Sequence, residues 1–76
     1  MTDEEVAYAA SLALMELEAD SVVISVGRLA EKPFGWVVVF EGSGGARDSM
    51  TFEHRAEEPR GALKEKIKAA LAARGG

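Results

Sequence analysis

His54 is the single histidine of the chain, with Glu53 and Glu57 close by in TFEHRAEE. An imidazole beside a carboxylate suits general acid–base work, because the carboxylate can fix the tautomer while the ring moves a proton. The local pattern works against that here. His54 falls in the alternating run SMTFEHR, where neighbours point to opposite faces of a strand, so Glu53 cannot orient it, and no Ser or Cys is spaced to complete a triad. We therefore expect a surface histidine at a strand end. GSGG at 42–45 has the composition of a phosphate-binding loop, but no Lys-Ser/Thr follows it and it leads into a strand, so a hairpin tip is expected. Arg60, Lys64 and Lys68 recur along one side of the last helical segment, where they would either touch phosphates or form a solvated face.

With no cysteine, thiolate catalysis, disulfides and Cys-based metal sites are excluded. One histidine leaves no basis for a metal centre, and acidic pairs alone hold a cation weakly. No cofactor and no enzymatic activity are expected. The charge of −4 is unevenly spread: residues 1–41 carry eight acids against Arg28 and Lys32, and residues 42–76 carry seven bases against five acids. The acidic part repels nucleic acid and anionic membrane, so nucleic-acid binding is disfavoured and a protein with a basic surface is the better partner. No apolar run reaches the ~18 to 20 residues of a membrane span, and MTDEEV opens with acids where a secretory signal carries bases, so we expect a cytoplasmic protein.

Seventy-six residues correspond to one domain, 1–76. Thr2 and Glu5 form a capping box, and a helix is predicted to run from there to about Leu17 or Glu18. Steps of 100° place Val6, Ala10, Ala13, Leu14 and Leu17 on one core face and Tyr8, Leu12 and Met15 on a second apolar stripe nearly opposite. SVVISV has the period of a strand over 21–27, with Val22, Ile24 and Val26 on one side and Val23 and Ser25 on the other. Pro33 and Gly35 break the next loop. Trp36–Phe40 is apolar on both faces, with Trp36, Val38 and Phe40 opposed to Val37 and Val39, as expected of a central strand. A third strand is predicted over 49–55, and a last helix opens at Glu58-Pro59 and stops at Gly75-Gly76. The fold class is α+β: α-β-β-β-α, a three-stranded antiparallel meander with both helices packed on one face.

So short a chain without disulfide or metal seldom buries enough to be very stable alone. A homodimer is therefore expected, with Tyr8, Leu12 and Met15 as its seam and the outer sheet face at Val37 and Val39 as a further contact. Trp36 caps the core beneath the helices or, on an uncovered face, anchors a partner.

Residues 31–40, EKPFGWVVVF, resemble the E-K-P-F-G-W-V-F-F-Y type segment of the immunity protein 35 family, small bacterial proteins with toxin-neutralising and chaperone-like branches. SLALMELEAD and SVVISV look like the same family's entry, so the resemblance covers roughly residues 3–41. The downstream half departs: GSGGARDSMTFEHR and a basic helix stand where the family has a strand with Asp-x-x-Thr-Gly. The resemblance implies an inhibitor of a basic partner protein. The element order also resembles the double-stranded-RNA-binding fold and the HicA-type interferases, but the middle strand lacks their histidine. The terminal ARGG resembles the Gly-Gly ends of ubiquitin and the sulfur carriers, which open with a hairpin where this chain opens with a helix. An RNA-binding module and a carrier are thus the alternatives.

Overall fold

The computed structural model describes residues 2–55, 57–59 and 61–75. Helix α1 spans Asp3–Glu16, strands β1, β2 and β3 span Val22–Arg28, Gly35–Glu41 and Arg47–Glu53, and helix α2 spans Gly61–Gly75. The strands form one antiparallel sheet in the order β1-β2-β3, the α-β-β-β-α arrangement expected. Glu5 and Tyr8 of α1 lie beside Gly61 and Leu63 of α2, and Leu14 and Leu17 lie beside Leu71, so the helices run in the same sense.

At the start of α1 the Thr2 hydroxyl accepts from the Glu5 N–H at 3.2 Å, and Asp3, Glu4 and Glu5 place negative charge where the helix dipole favours it. Val6, Ala9, Ala10, Ala13 and Leu14 are buried. The predicted core face thus holds up to Leu14 but not at Leu17, which is exposed. Leu17 is the C-cap, and Glu18 after it adopts a positive φ of 55°, so the chain has left the helical path there.

β2 lies at the centre and begins at Gly35, where a Cβ would stand 2.7 Å from Leu29 Cδ1. With Lys32 Cβ at 3.0 Å and Leu29 Cβ at 3.1 Å from the same point, glycine lets the β1–β2 loop sit against the strand without displacing either residue. Trp36, Val38 and Phe40 are buried on the helix side, with Met50 and Phe52 of β3 and Leu63 and Ile67 of α2. Trp36 is only 4% exposed, its ring covered in part by the Arg28 guanidinium at 4.7 Å. It serves packing, and the reading of Trp36 as a partner anchor is corrected: its directly opposed neighbours Arg28 and Phe52 share its face, which is the covered one.

β1 departs from simple alternation. Val23 stands opposite Phe40 and Ser25 opposite Val39, so Ile24 is an extra residue, a β-bulge. The bulge brings Val23 and Val26 together to the core while Val22 and Ile24 are exposed, although simple alternation puts Val23 and Val26 on opposite sides. The β2–β3 turn is tighter than expected: Gly44 and Gly45 take φ of 87° and 82° in a short 3-10 turn, and β3 starts at Arg47, two residues earlier than predicted. Pro59 precedes α2, its carbonyl accepting from the Ala62 N–H at 3.0 Å, so the helix opens later than Glu58-Pro59.

The helices are joined at the surface by Glu16, whose carboxylate meets the ammonium groups of Lys64 and Lys68, the latter at 3.0 Å. Hydrogen bonds from Lys64 and Lys68 hold the Glu16 carboxyl below its usual range, and Glu16 holds the Lys64 ammonium above its own. A carboxyl whose folded pKa is depressed stabilises the fold above its unfolded pKa, and that contribution is lost as pH falls through the folded value. The raised lysine stabilises below its unfolded pKa and loses its contribution as pH rises through the folded one. Thermal melts should therefore show a plateau around neutral pH with a fall on the acid side, and Glu16→Gln should melt lower at neutral pH and show a smaller acid fall than wild type. Ile67, fully buried, gives a second test: Ile67→Val should cost about 1 kcal/mol in urea unfolding and Ile67→Ala about 2 to 5 kcal/mol.

Candidate functional site

The α1 stripe stands where its spacing put it. Tyr8 is 68% exposed and Met15 71%, and Leu12 between them is half-buried. Tyr8 and Leu12, with Glu5 and Ala9 of the same helix, line a groove of about 450 Å³ between the helices, closed on the other side by Gly61, Leu63 and Lys64 of α2. Met15 lies outside that lining and extends the apolar surface one turn further. The helix that carries the stripe holds Asp3, Glu4, Glu5 and Glu16 and no basic residue.

The outer face of the sheet carries no helix. Val37 and Val39 lie on it partly exposed, opposite in sense to Trp36, Val38 and Phe40. Their cross-strand neighbours are Gly27 and Ser25 on one side and Thr51 and Ser49 on the other, so the face is apolar only along its middle. Of the predicted interface residues, Tyr8, Leu12 and Met15 share one surface and Val37 and Val39 another, and Trp36 belongs to neither.

His54 is not the surface residue expected. It is 6% exposed, just beyond the end of β3, with its N–H donating to the Phe34 carbonyl at 3.0 Å. His54 follows the strand in step with Met50 and Phe52, and the face these three share is the one the helices cover. Its Nδ1 lies 3.8 Å from a Glu58 carboxylate oxygen and has no hydrogen-bond partner among the described residues. The Glu58 carboxyl is held below its usual range, chiefly by the Lys66 ammonium, then by the Arg55 N–H at 3.4 Å and the charges of Lys66 and His54. Sequence reasoning considered Glu53 and Glu57 as partners and missed Glu58, which the turn after β3 brings back toward the ring. Closed off from solvent, the imidazole ties this turn to the core and offers no open face to a substrate.

The lysines of α2 are also spoken for. Lys64 and Lys68 meet Glu16, and Lys66 meets Glu58 and donates to the Glu53 carbonyl at 2.8 Å. Arg60 and Gly76 lie outside the described residues. Among the described residues no three His, Asp or Glu side chains are grouped to hold a metal ion, and no helix is long and apolar enough to cross a membrane.

Comparison of the chain with protein-family models, with curated proteins and with solved structures returns no match. The likeness of residues 31–40 to immunity protein 35 therefore rests on those residues alone, and the functional reading rests on the surfaces described above.

Proposed function

We propose that the chain is a non-enzymatic protein-interaction module that receives a basic partner protein on its α1 side. One observation carries this reading: Tyr8, Leu12 and Met15 form an apolar stripe left open on a helix whose charged residues are all acidic, beside a groove that the second helix only half closes. An apolar centre flanked by acids along α1, with the one lysine of the facing wall, Lys64, paired to Glu16, has the anatomy of a docking surface, the centre supplying burial and the acids selecting the partner's charge. The resemblance of EKPFGWVVVF to the immunity proteins supports the same class of partner, a basic toxin neutralised by a small acidic inhibitor. RNA binding by α2 has less support, because Lys64, Lys66 and Lys68 are engaged with Glu16, Glu58 and a backbone carbonyl instead of facing a phosphate chain.

The test is affinity capture from the native cell with a tag at the amino terminus, comparing wild type with the double variant Tyr8→Ala/Met15→Ala. Both side chains are largely exposed, so the variant should fold and melt as wild type does. The captured partner should be a basic protein released by salt, and the variant should bind it at least ~10-fold more weakly, as loss of an anchoring aromatic implies. Capture of RNA alone, or of the same protein equally well by the variant, would exclude this surface.

A further inference from the structure

We propose that the chain self-associates through the free edge of β3, two copies pairing antiparallel about Met50 to make one six-stranded sheet. This rests on residues other than the α1 surface and places the homodimer seam at a sheet edge instead of on α1.

The hydrogen-bond alternation shows which backbone groups are available. His54 N–H donates to the Phe34 carbonyl at 3.0 Å and Gly42 N–H to the Ala46 carbonyl at 2.8 Å, so the even-numbered residues of β3 bond to β2. The N–H and C=O groups of Arg47, Ser49, Thr51 and Glu53 therefore point away from the sheet. Two observations agree with this: Lys66 Nζ reaches the Glu53 carbonyl and the Asp48 carboxylate accepts from the Ser49 N–H at 2.8 Å, both from the open side. On pairing, Asp48 must release that N–H, while the Glu53 carbonyl retains a second lone pair. The opposite edge is less suitable, because β1 is interrupted by the bulge at Ile24, a common device against edge pairing. β3 pairs with β2 without irregularity along all seven residues.

The occupant is a second copy because RDSMTFE is complementary to itself when reversed. With Met50 opposite Met50, Arg47 stands opposite Glu53, Ser49 opposite Thr51 and Asp48 opposite Phe52. Both charged pairs fall on the outer face, where cross-strand opposite charges stabilise a ladder. Arg47 already meets Glu41 of β2 at 3.3 Å, so in the pair it lies between two carboxylates. A shift by two residues, about Thr51, would instead oppose Arg47 to Arg55 and lose this match. The α1 surface lacks such self-complementarity, since two copies of a helix with acids and no bases would meet with like charge.

The helix above β3 leaves room for a neighbour. Lys64 and Lys68 face α1, so the flank of α2 turned toward the open edge carries Ala62, Lys66, Ala69 and Ala73. Lys66 agrees with that direction by reaching the Glu53 carbonyl. Alanine at the other three positions lets the same helix of a second copy lie alongside at the ~8 to 10 Å spacing of packed helices.

Sedimentation equilibrium of the full chain tests the proposal. Wild type should form a concentration-dependent dimer. Thr51→Pro removes an outward N–H that the ladder to β2 does not use, so it should remain folded by circular dichroism and sediment as a monomer. Arg47→Glu and Glu53→Arg place like charges opposite each other in the symmetric pair, and each alone should dimerise at least ~10-fold more weakly. Mixed in equal amounts the two variants should form a heterodimer, since positions 47 and 53 then face each other with opposite charge in both halves of the seam; this readout does not depend on Thr51→Pro folding. A wild type that stays monomeric to millimolar concentration, a dimer that survives Thr51→Pro, or single charge variants whose mixture associates no better than either alone would overturn the proposal. So would a dimer dissociated by Tyr8→Ala/Met15→Ala and untouched by the β3 variants.

Discussion

The whole domain hangs on the fact that one short strand must satisfy two ladders and one core. β2 bonds to β1 on one side and β3 on the other, and Trp36, Val38 and Phe40 supply the middle of the apolar cluster that receives α1 and α2. No other element stands in both roles. A strand so placed has no solvent edge, and the residues the core requires of it are the helix-facing Trp36, Val38 and Phe40, while Val37 and Val39 stay partly exposed on the uncovered face. Gly35 belongs to the same constraint: with nothing projecting from its first residue, the strand begins close under Leu29 and Lys32 without displacing them.

With a single sheet face in use, the remaining apolar surface has nowhere to go inside the chain. α1 can press one side against the sheet and α2, so Tyr8 and Met15 stay outside, and Val37 and Val39 are covered only by their strand neighbours. A domain of this size buries a smaller share of its chain than a larger one, and contacts with other chains are the usual supplement. The two open surfaces differ in charge, and the two proposals above follow that difference. α1 carries charge of one sign and suits a partner of the other, while β3 carries both signs in a mirrored order and suits itself.

Electrostatics inside the chain serves to join elements. Glu16 ties the end of α1 to the first half of α2 through Lys64 and Lys68, and Glu58 and Lys66 fasten the turn after β3 to α2 across the buried His54. Exposed ion pairs contribute little singly, and their value here is in fixing how the helices sit on the sheet. Lys64, Lys66 and Lys68 are all engaged in these contacts.

Local signals were legible wherever one short-range rule decided the outcome. The capping box at Thr2, the apolar run of β2, the glycine turn before β3 and the second stripe of α1 followed from residue type and spacing, and element order then left few ways to arrange three strands and two helices. What the sequence could not decide depended on pairing between distant residues. The bulge at Ile24 arises from the register of β1 on β2, and it moves Val23 and Val26 inward against the alternation of the strand read alone. The burial of His54 depends on which face of the sheet the helices cover and on how the turn brings Glu58 back to the ring, and residue type and spacing show neither. Trp36 was ambiguous for the same reason: a pleated strand presents both faces alike until helices cover one, and only the tertiary packing chose which face that would be.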